Sequence, residues 1–258
     1  MEPNAFVAEV YRRMSLRHPT KTSKPTFEQM ERNPVVVPAA NWYKKILPQE
    51  KSAPILEIGF GNGWFIATCL KLGYTNIIGA DFGVANKSHV AKWSSAVSLH
   101  EIHNDIGEFL VGRSAQYEFI HLSHVIEHIP KHSLLWVTDS LYQALLPGGK
   151  LCLRTPNMES PAANSSLYVT LAHEYGFCGS NLISLLDICG FDDIKLHDPA
   201  DAITLKQKIG SLLKWPYLTE RRLRNRLFGV NEGGKFGMEL VATAVRGAAE
   251  PLFDIRYR

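Results

Sequence analysis

Three glycines at alternate positions, Gly59, Gly61 and Gly63, follow the apolar run that begins at Ile55, and the next acid closing such a run is Asp81, 18 positions beyond Gly63. Glycine lets a backbone turn sharply and approach a ligand too closely for any Cβ. An acid at that spacing is placed to accept hydrogen bonds from the ribose hydroxyls of an adenosine-containing cofactor. Strand, glycine turn, helix, strand and acid make the nucleoside-binding half of a doubly wound fold. A dinucleotide site would want a glycine at position 64, where this chain has Trp64. Glu57 argues the same way, because a carboxylate repels a diphosphate and favours a cationic sulfonium or amino group.

A second polar group, Ser123-His124-Val125-Ile126-Glu127-His128, ends the fourth β-rich run and opens the loop after it. In open α/β sheets that loop faces the crevice at the strand carboxyl ends. His124, at the crevice mouth, is the first candidate for a general base at neutral pH, with His128 and His173 after it. His128 also reads as a structural histidine satisfied by backbone carbonyls, and His121, within the strand, as core or helix-facing. His124, Glu127 and His128 have the chemistry to ligate zinc. Three ligands within five residues nevertheless need a geometry that spacing does not supply, so no metal site is expected. Arg154 and Asn157 leave the fifth strand on the same edge and are candidates for orienting a substrate, an anionic one in the case of Arg154.

The elements that must position these groups follow from short β-rich runs alternating with helix-length segments. Strands are expected at 55–60, 76–82, 97–103, 117–125, 150–154, 193–197 and 238–246, and helices at 64–72, 84–95, 105–111, 133–146 and 181–189. Pro147-Gly148-Gly149 should stop the fourth of these helices. The alternation implies a parallel sheet with helices on both faces. Residues 1–50, with five prolines between 19 and 48, read as an N-terminal helical extension or cap, and residues 51–258 as the main domain. Between the last two strands, about 200–236, lies a helical insertion whose residues 201–230 hold seven Lys and Arg against two acids, a local +5 in a chain of net charge +3.

The composition, 258 residues with 45% hydrophobic and 21% charged, excludes disordered, collagenous and fibrous classes. Glu2 and Glu9 stand where a secretory signal needs a basic head and an apolar run, and no stretch reaches the ~18 apolar residues of a membrane span, so a cytoplasmic location is expected. Four cysteines without a CxxC pair exclude a disulfide framework and a thiolate zinc site.

Taken as a set, Glu57-Ile-Gly59-Phe-Gly61-Asn-Gly63, Asp81, Asn104-Asp105-Ile106 and the stretch from Leu146-Pro-Gly-Gly to Asn157 resemble the class I S-adenosylmethionine-dependent methyltransferases over residues 54–200 and again from 237. That resemblance implies an α/β, Rossmann-like seven-stranded sheet in the order 3-2-1-4-5-7-6 with the last strand antiparallel, and S-adenosyl-L-methionine as cofactor. It also implies that Gly59 and Gly61 contact the methionine part, with Glu57, Gly63 and Ser123 among the further cofactor-binding residues. Asp81 would hold the ribose, Phe82 an adenine face, and Asp105 with Ile106 the adenine edge. Asp105 reads equally as a helix N-cap, and Phe82 as core. Val125-Ile-Glu127-His128 is similar to a stretch common in small-molecule members, including those of ubiquinone biosynthesis, and the layout resembles enzymes of polysaccharide gene sets. The Asn/Asp-Pro-Pro-Tyr signature of amino-methylating relatives and the Pro-Cys of cytosine C5 enzymes are both missing from the sequence.

The expected activity is therefore O-methylation of a small molecule or glycan precursor, anionic if the basic insertion attracts it; contact with an anionic membrane surface is another use of that segment. RNA methylation is a second reading, resting on the arginines of the insertion but opposed by the modest net charge, so nucleic acid is not the expected partner. A non-catalytic cofactor-binding subunit is a third. The oligomeric state stays open.

Overall fold

The computed structural model of the chain describes residues 24–34, 36–82, 88–103, 105–160, 163–197 and 237–247, with a few isolated positions outside them. Seven strands form one sheet: β1 (Ile55–Ile58), β2 (Ile77–Asp81), β3 (Val97–Glu101), β4 (Tyr117–Ser123), β5 (Leu145–Pro156), β6 (Phe191–His197) and β7 (Glu239–Arg246). Their order is 3-2-1-4-5-7-6. β1 lies parallel between β2 and β4, and β2 with β3 and β4 with β5 are parallel too. β7 inserts antiparallel between β5 and β6. Order and sense are those the family resemblance implies.

All four residues of β1 are buried, because a parallel strand between two neighbours is covered on both faces. The helices are α1 (Phe27–Glu31), α2 (Val36–Tyr43), α3 (Trp64–Lys71), α4 (Ile106–Leu110), α5 (Leu134–Ala144), α6 (Ala163–Leu167) and α7 (Gly179–Ile188). On one face Trp42, Tyr43, Phe65 and Ile66 of α2 and α3 pack with Ile55 and Phe119. On the other, Ile106, Leu141 and Leu182 of α4, α5 and α7 pack with Leu56 and Ile120. Ile55 and Leu56 facing opposite cores is the period of two that a strand requires. No helix among the described residues is long and apolar enough to cross a membrane.

The structure departs from the sequence expectation at the α5–β5 junction. The helix ends at Ala144 and the chain enters β5 at Leu145, with Pro147-Gly148-Gly149 inside the strand rather than stopping the helix. Gly148 has φ 79°, and the β4–β5 register jumps from Tyr117↔Leu145 to Phe119↔Lys150, so these residues bulge out of the ladder. The carbonyls at the helix end are taken elsewhere: Gln143 O accepts from Ala115 N–H at 2.8 Å and from Arg246 Nη1 at 2.8 Å. Of the helix expected at 84–95, the described part holds a single 3-10 turn, Val90–Lys92. The basic insertion falls almost entirely outside the described residues.

α2 belongs to the core of the sheet. Tyr43 is fully buried and its hydroxyl lies 2.8 Å from Nε2 of His121 on β4, whose ring stacks on Phe65 at 3.9 Å. Tyr43→Phe removes the hydroxyl and leaves that buried nitrogen without its partner, which should lower stability by about 1–3 kcal/mol in urea denaturation. An unchanged midpoint would show that the bond contributes nothing.

Candidate active site

β1 runs into a turn with φ of 73° at Gly59, 51° at Gly61 and 77° at Gly63. At Gly59 a Cβ would lie 2.3 Å from Val125 Cγ2, so the loop after β4 already occupies that space. At Gly61 a Cβ would meet nothing within 4 Å, so this part of the turn faces open space. Gly63 begins α3 in the left-handed conformation. Asp81, buried at the end of β2, accepts the Gly61 N–H at 2.9 Å, so the carboxylate expected to hold a ribose also pins the turn. Phe82 beside it is exposed rather than in the core. Asp105 is the N-cap of α4, accepting Glu108 N–H at 2.7 Å, and the Ile106 side chain is in the core. For these two, the structure shows the cap and the packing role.

Glu57 is buried under the turn. Its Oε2 accepts no hydrogen bond among the described residues, and its Oε1 lies 3.4 Å from His121 Nδ1. Burial, and then the charge of Asp81, push the Glu57 pKa well above the usual carboxylate range, while burial pushes that of His121 well down.

Across the crevice, Ser123 ends β4 and His124 follows with φ 54°, a region few residues other than glycine adopt. Its N–H is held by Arg154 O at 2.9 Å. The His124 ring lies between two carboxylates, with Nδ1 3.3 Å from Glu127 Oε1 and Nε2 3.0 Å from Glu239 Oε1. Hydrogen bonds to Glu127 and Glu239 outweigh burial and raise its pKa to about 9. His124 is where the sequence places it, at the crevice mouth, but it stands there as an imidazolium held by two acids.

Of the two substrate candidates, Arg154 donates to Glu239 Oε2, lies over the Trp64 ring at 5.1 Å and interacts electrostatically with Tyr43. Asn157 is buried, donating to Gly237 O and accepting from Glu159 N–H, both at 2.9 Å. Arg154 is thus engaged in an internal ion pair, and Asn157 ties the end of β5 to the approach to β7.

The remaining two histidines come together. His128, in the turn Ile126–His128, has Nδ1 2.8 Å from Ala172 O, and His173 has Nδ1 3.1 Å from Leu167 O; their rings are 4.8 Å apart. One ligand-type atom from each of Glu127, His128 and His173 lies within 4.8 Å of the others. The backbone carbonyl of Glu127 accepts Glu174 N–H at 2.8 Å and Tyr175 N–H at 3.2 Å, which fixes the two segments together.

Tyr43 and Glu239 are members of this cluster that motif reading does not single out. For Glu239 a signal exists: an antiparallel β7 starts at the crevice edge, which sets Glu239 opposite Pro156 at the exit of β5. Burial alone would raise the pKa of Glu239, but the His124 hydrogen bond and the Arg154 charge hold it at about 2. A carboxyl depressed in the folded state stabilises above its ordinary value of 4.5, and that contribution disappears as pH falls toward 2. Denaturation followed from pH 6 to pH 2 should therefore show a loss on the order of 2 kcal/mol, partial exposure included, that Glu239→Gln removes. The same acid slope in the variant would rule out this ion-pair cluster as its source.

Residues 35–221, more than two thirds of the chain, match the family model described as "Methyltransferase domain". No curated protein matches the sequence. Among solved structures, a SAM-dependent methyltransferase from Archaeoglobus fulgidus superposes with a TM-score of 0.57 at 18% identity, over 84% of this chain and 96% of that one. One from Mesorhizobium loti gives 0.56 at 14% identity, over 84% and 100%. The phosphoethanolamine N-methyltransferase 2 of Haemonchus contortus, in complex with phosphomonomethylethanolamine and S-adenosylhomocysteine, gives 0.59 at 14% identity, over 96% of this chain and 61% of that one. At such identities the structures speak for the fold, and the family model for descent. With the glycine turn, Asp81 and the 3-2-1-4-5-7-6 sheet in place, the chain belongs to the methyltransferase domain family, in its class I S-adenosylmethionine-dependent form.

Proposed function

We propose that this protein methylates a small-molecule or glycan-precursor acceptor, at oxygen, with S-adenosylmethionine as donor. The observation that carries the reading is the turn itself: Gly61 faces open space, and buried beneath it is a carboxyl with an oxygen that accepts no hydrogen bond among the described residues. The fit is chemical. Burial and the charge of Asp81 disfavour Glu57 as an anion, so a cationic amino-acid end near the turn relieves it. Asp81, held by the Gly61 N–H, presents its carboxylate at the end of β2 for a ribose, and exposed Phe82 follows it for a base.

S-adenosylmethionine supplies a methyl carbon activated by the sulfonium, which departs as a neutral thioether, so no acid is required for leaving. What remains for the chain is to align and desolvate. Alignment of that kind contributes an effective molarity of ~10⁵ M or more, about 7 kcal/mol of barrier. A hydroxyl acceptor must also lose a proton; His124 is already protonated between its two carboxylates, so His128, in the turn after β4, and His173 beside it are read as the groups that receive or relay it. Their clustering supports oxygen as the methylated atom. The Haemonchus protein, by its name, acts at the nitrogen of a phosphorylated small amine; this supports the small-molecule class without deciding the atom. The basic insertion, joining strand ends on the crevice side, is read as attracting an anionic acceptor.

Calorimetry should show S-adenosylmethionine and its demethylated product binding to the unmodified chain. Gly61→Ala should weaken both at least tenfold while lowering stability by only about 1–2 kcal/mol, the cost of a left-handed alanine. Asp81→Ala should weaken them at least tenfold and destabilise by about 1 kcal/mol, since it also releases the Gly61 N–H. Incubation with donor and cell extract, followed by mass spectrometry, should reveal a species heavier by one methylene. Absence of donor binding would end the proposal, and binding untouched by Gly61→Ala would displace the donor from this turn.

A further inference from the structure

We infer that the turn Tyr168–Leu171, with the basic segment tethered at the same edge of the sheet, docks this protein on an anionic lipid bilayer. The 14 residues from Ser160 to His173 contain no Asp, Glu, Lys or Arg. Charged side chains are the ones water favours most at a surface, so their absence from an exposed loop is informative. In their place Tyr168, Val169 and Leu171 stand 79%, 74% and 79% exposed. Among the described residues no other stretch of four positions exposes three large apolar side chains.

The exposure is fixed by the backbone on either side. Tyr168 N–H donates to Asn164 O at 3.0 Å and Ala172 N–H to Thr170 Oγ1 at 3.2 Å. The carbonyls of Leu167 and Ala172 accept from His173 Nδ1 and His128 Nδ1, and Ala172 itself is buried. The turn is thus anchored to the loop after β4 and projects its side chains from the rim of the crevice. Withdrawing them from water would break these bonds.

Charge decides the occupant. His197 ends β6 on the crevice edge, and Gly237, just before β7, accepts from Asn157 there. The segment between them holds seven Lys and Arg against two acids over residues 201–230. Of its few described positions, Leu223 and Leu227 are helical, four apart and so on one helix face, and 59% and 75% exposed. The sequence sets them among Arg221, Arg222, Arg224 and Arg226. Outward leucines among arginines are what a helix needs to lie in a headgroup layer, with leucines toward the acyl chains and cations toward anionic phosphates. Tyrosine, with an apolar ring and a polar tip, suits the same boundary. A protein partner fits less well: three such side chains offer on the order of 400 Å², about half of what a stable interface takes from each partner, whereas a bilayer demands no complementary shape. The docking does not depend on the methyl-transfer reading; joined to that reading, it makes the acceptor a membrane-borne amphiphile.

The test is cosedimentation of the full chain with phosphatidylcholine vesicles, with and without phosphatidylglycerol. Binding should require phosphatidylglycerol and weaken as salt is raised. Tyr168→Ser with Leu171→Ser should reduce partitioning about tenfold, and Leu227→Ser should reduce it as well, with melting curves unchanged because all three side chains are exposed. Tyr168→Trp should keep the binding and gain fluorescence that brominated acyl chains quench. No binding to either vesicle, equal binding to both, or binding untouched by the Tyr168 and Leu171 substitutions would each overturn the proposal. So would lipid-free self-association abolished by Leu171→Ser, which would give the face to a second copy. Donor calorimetry on the same samples separates the two proposals: loss of donor binding refutes the methyl-transfer reading alone, and loss of vesicle binding refutes this docking alone.

Discussion

The approach of Val125 to Gly59 is the constraint on which the crevice depends. Any side chain at position 59 would occupy the space of the Val125 methyl, and φ 73° is a conformation that side chains resist in any case. β1 and β4 are paired through Ile58↔Leu122, so their carboxyl ends finish level and the two chains leave the sheet side by side. Only a bare backbone on one of them lets the loops touch. That contact joins the turn under which Glu57 lies to the loop that bears His124, Glu127 and His128.

From that junction a polar path runs through otherwise apolar surroundings. Glu57 faces His121, His121 faces Tyr43, Tyr43 interacts electrostatically with Arg154, Arg154 bonds Glu239, and Glu239 holds His124, which in turn approaches Glu127. Carboxyls outnumber cations along this path, and desolvation makes such an excess unfavourable. The surplus lies at the two ends of the path, Glu57 and Glu127.

The architecture was legible in the sequence because its signals are local. The glycine turn, the acid at the end of β2 and the β-rich runs each occupy a few consecutive residues, and the family resemblance supplied the strand order. The α5–β5 boundary was misread because Pro147-Gly148-Gly149 has the local chemistry of a helix stop, whereas Arg246 and the lead-in to β4, both distant in sequence, cap the helix end three residues earlier. His124 was found by position but not by state, since its pKa depends on Glu239, 115 residues away. Arg154 and Asn157 looked available for substrate for the same reason: their partners, Glu239 in β7 and Gly237 just before it, lie more than 75 positions further along the chain.

That returning strand explains why the crevice can carry so many charges and still be ordered. β7 is antiparallel to its neighbours, so its first residue, not its last, lies at the carboxyl edge where β5 ends, and Glu239 reaches Arg154 and His124 from there. β6, antiparallel to β7 in turn, ends at His197 on the same edge. The last described residue before the basic segment, His197, and the first after it, Gly237, which accepts from Asn157, therefore both lie on the crevice side. A parallel seventh strand would instead have put Arg246 at this edge and Glu239 at the opposite one, leaving Arg154 and His124 without the carboxylate that holds both.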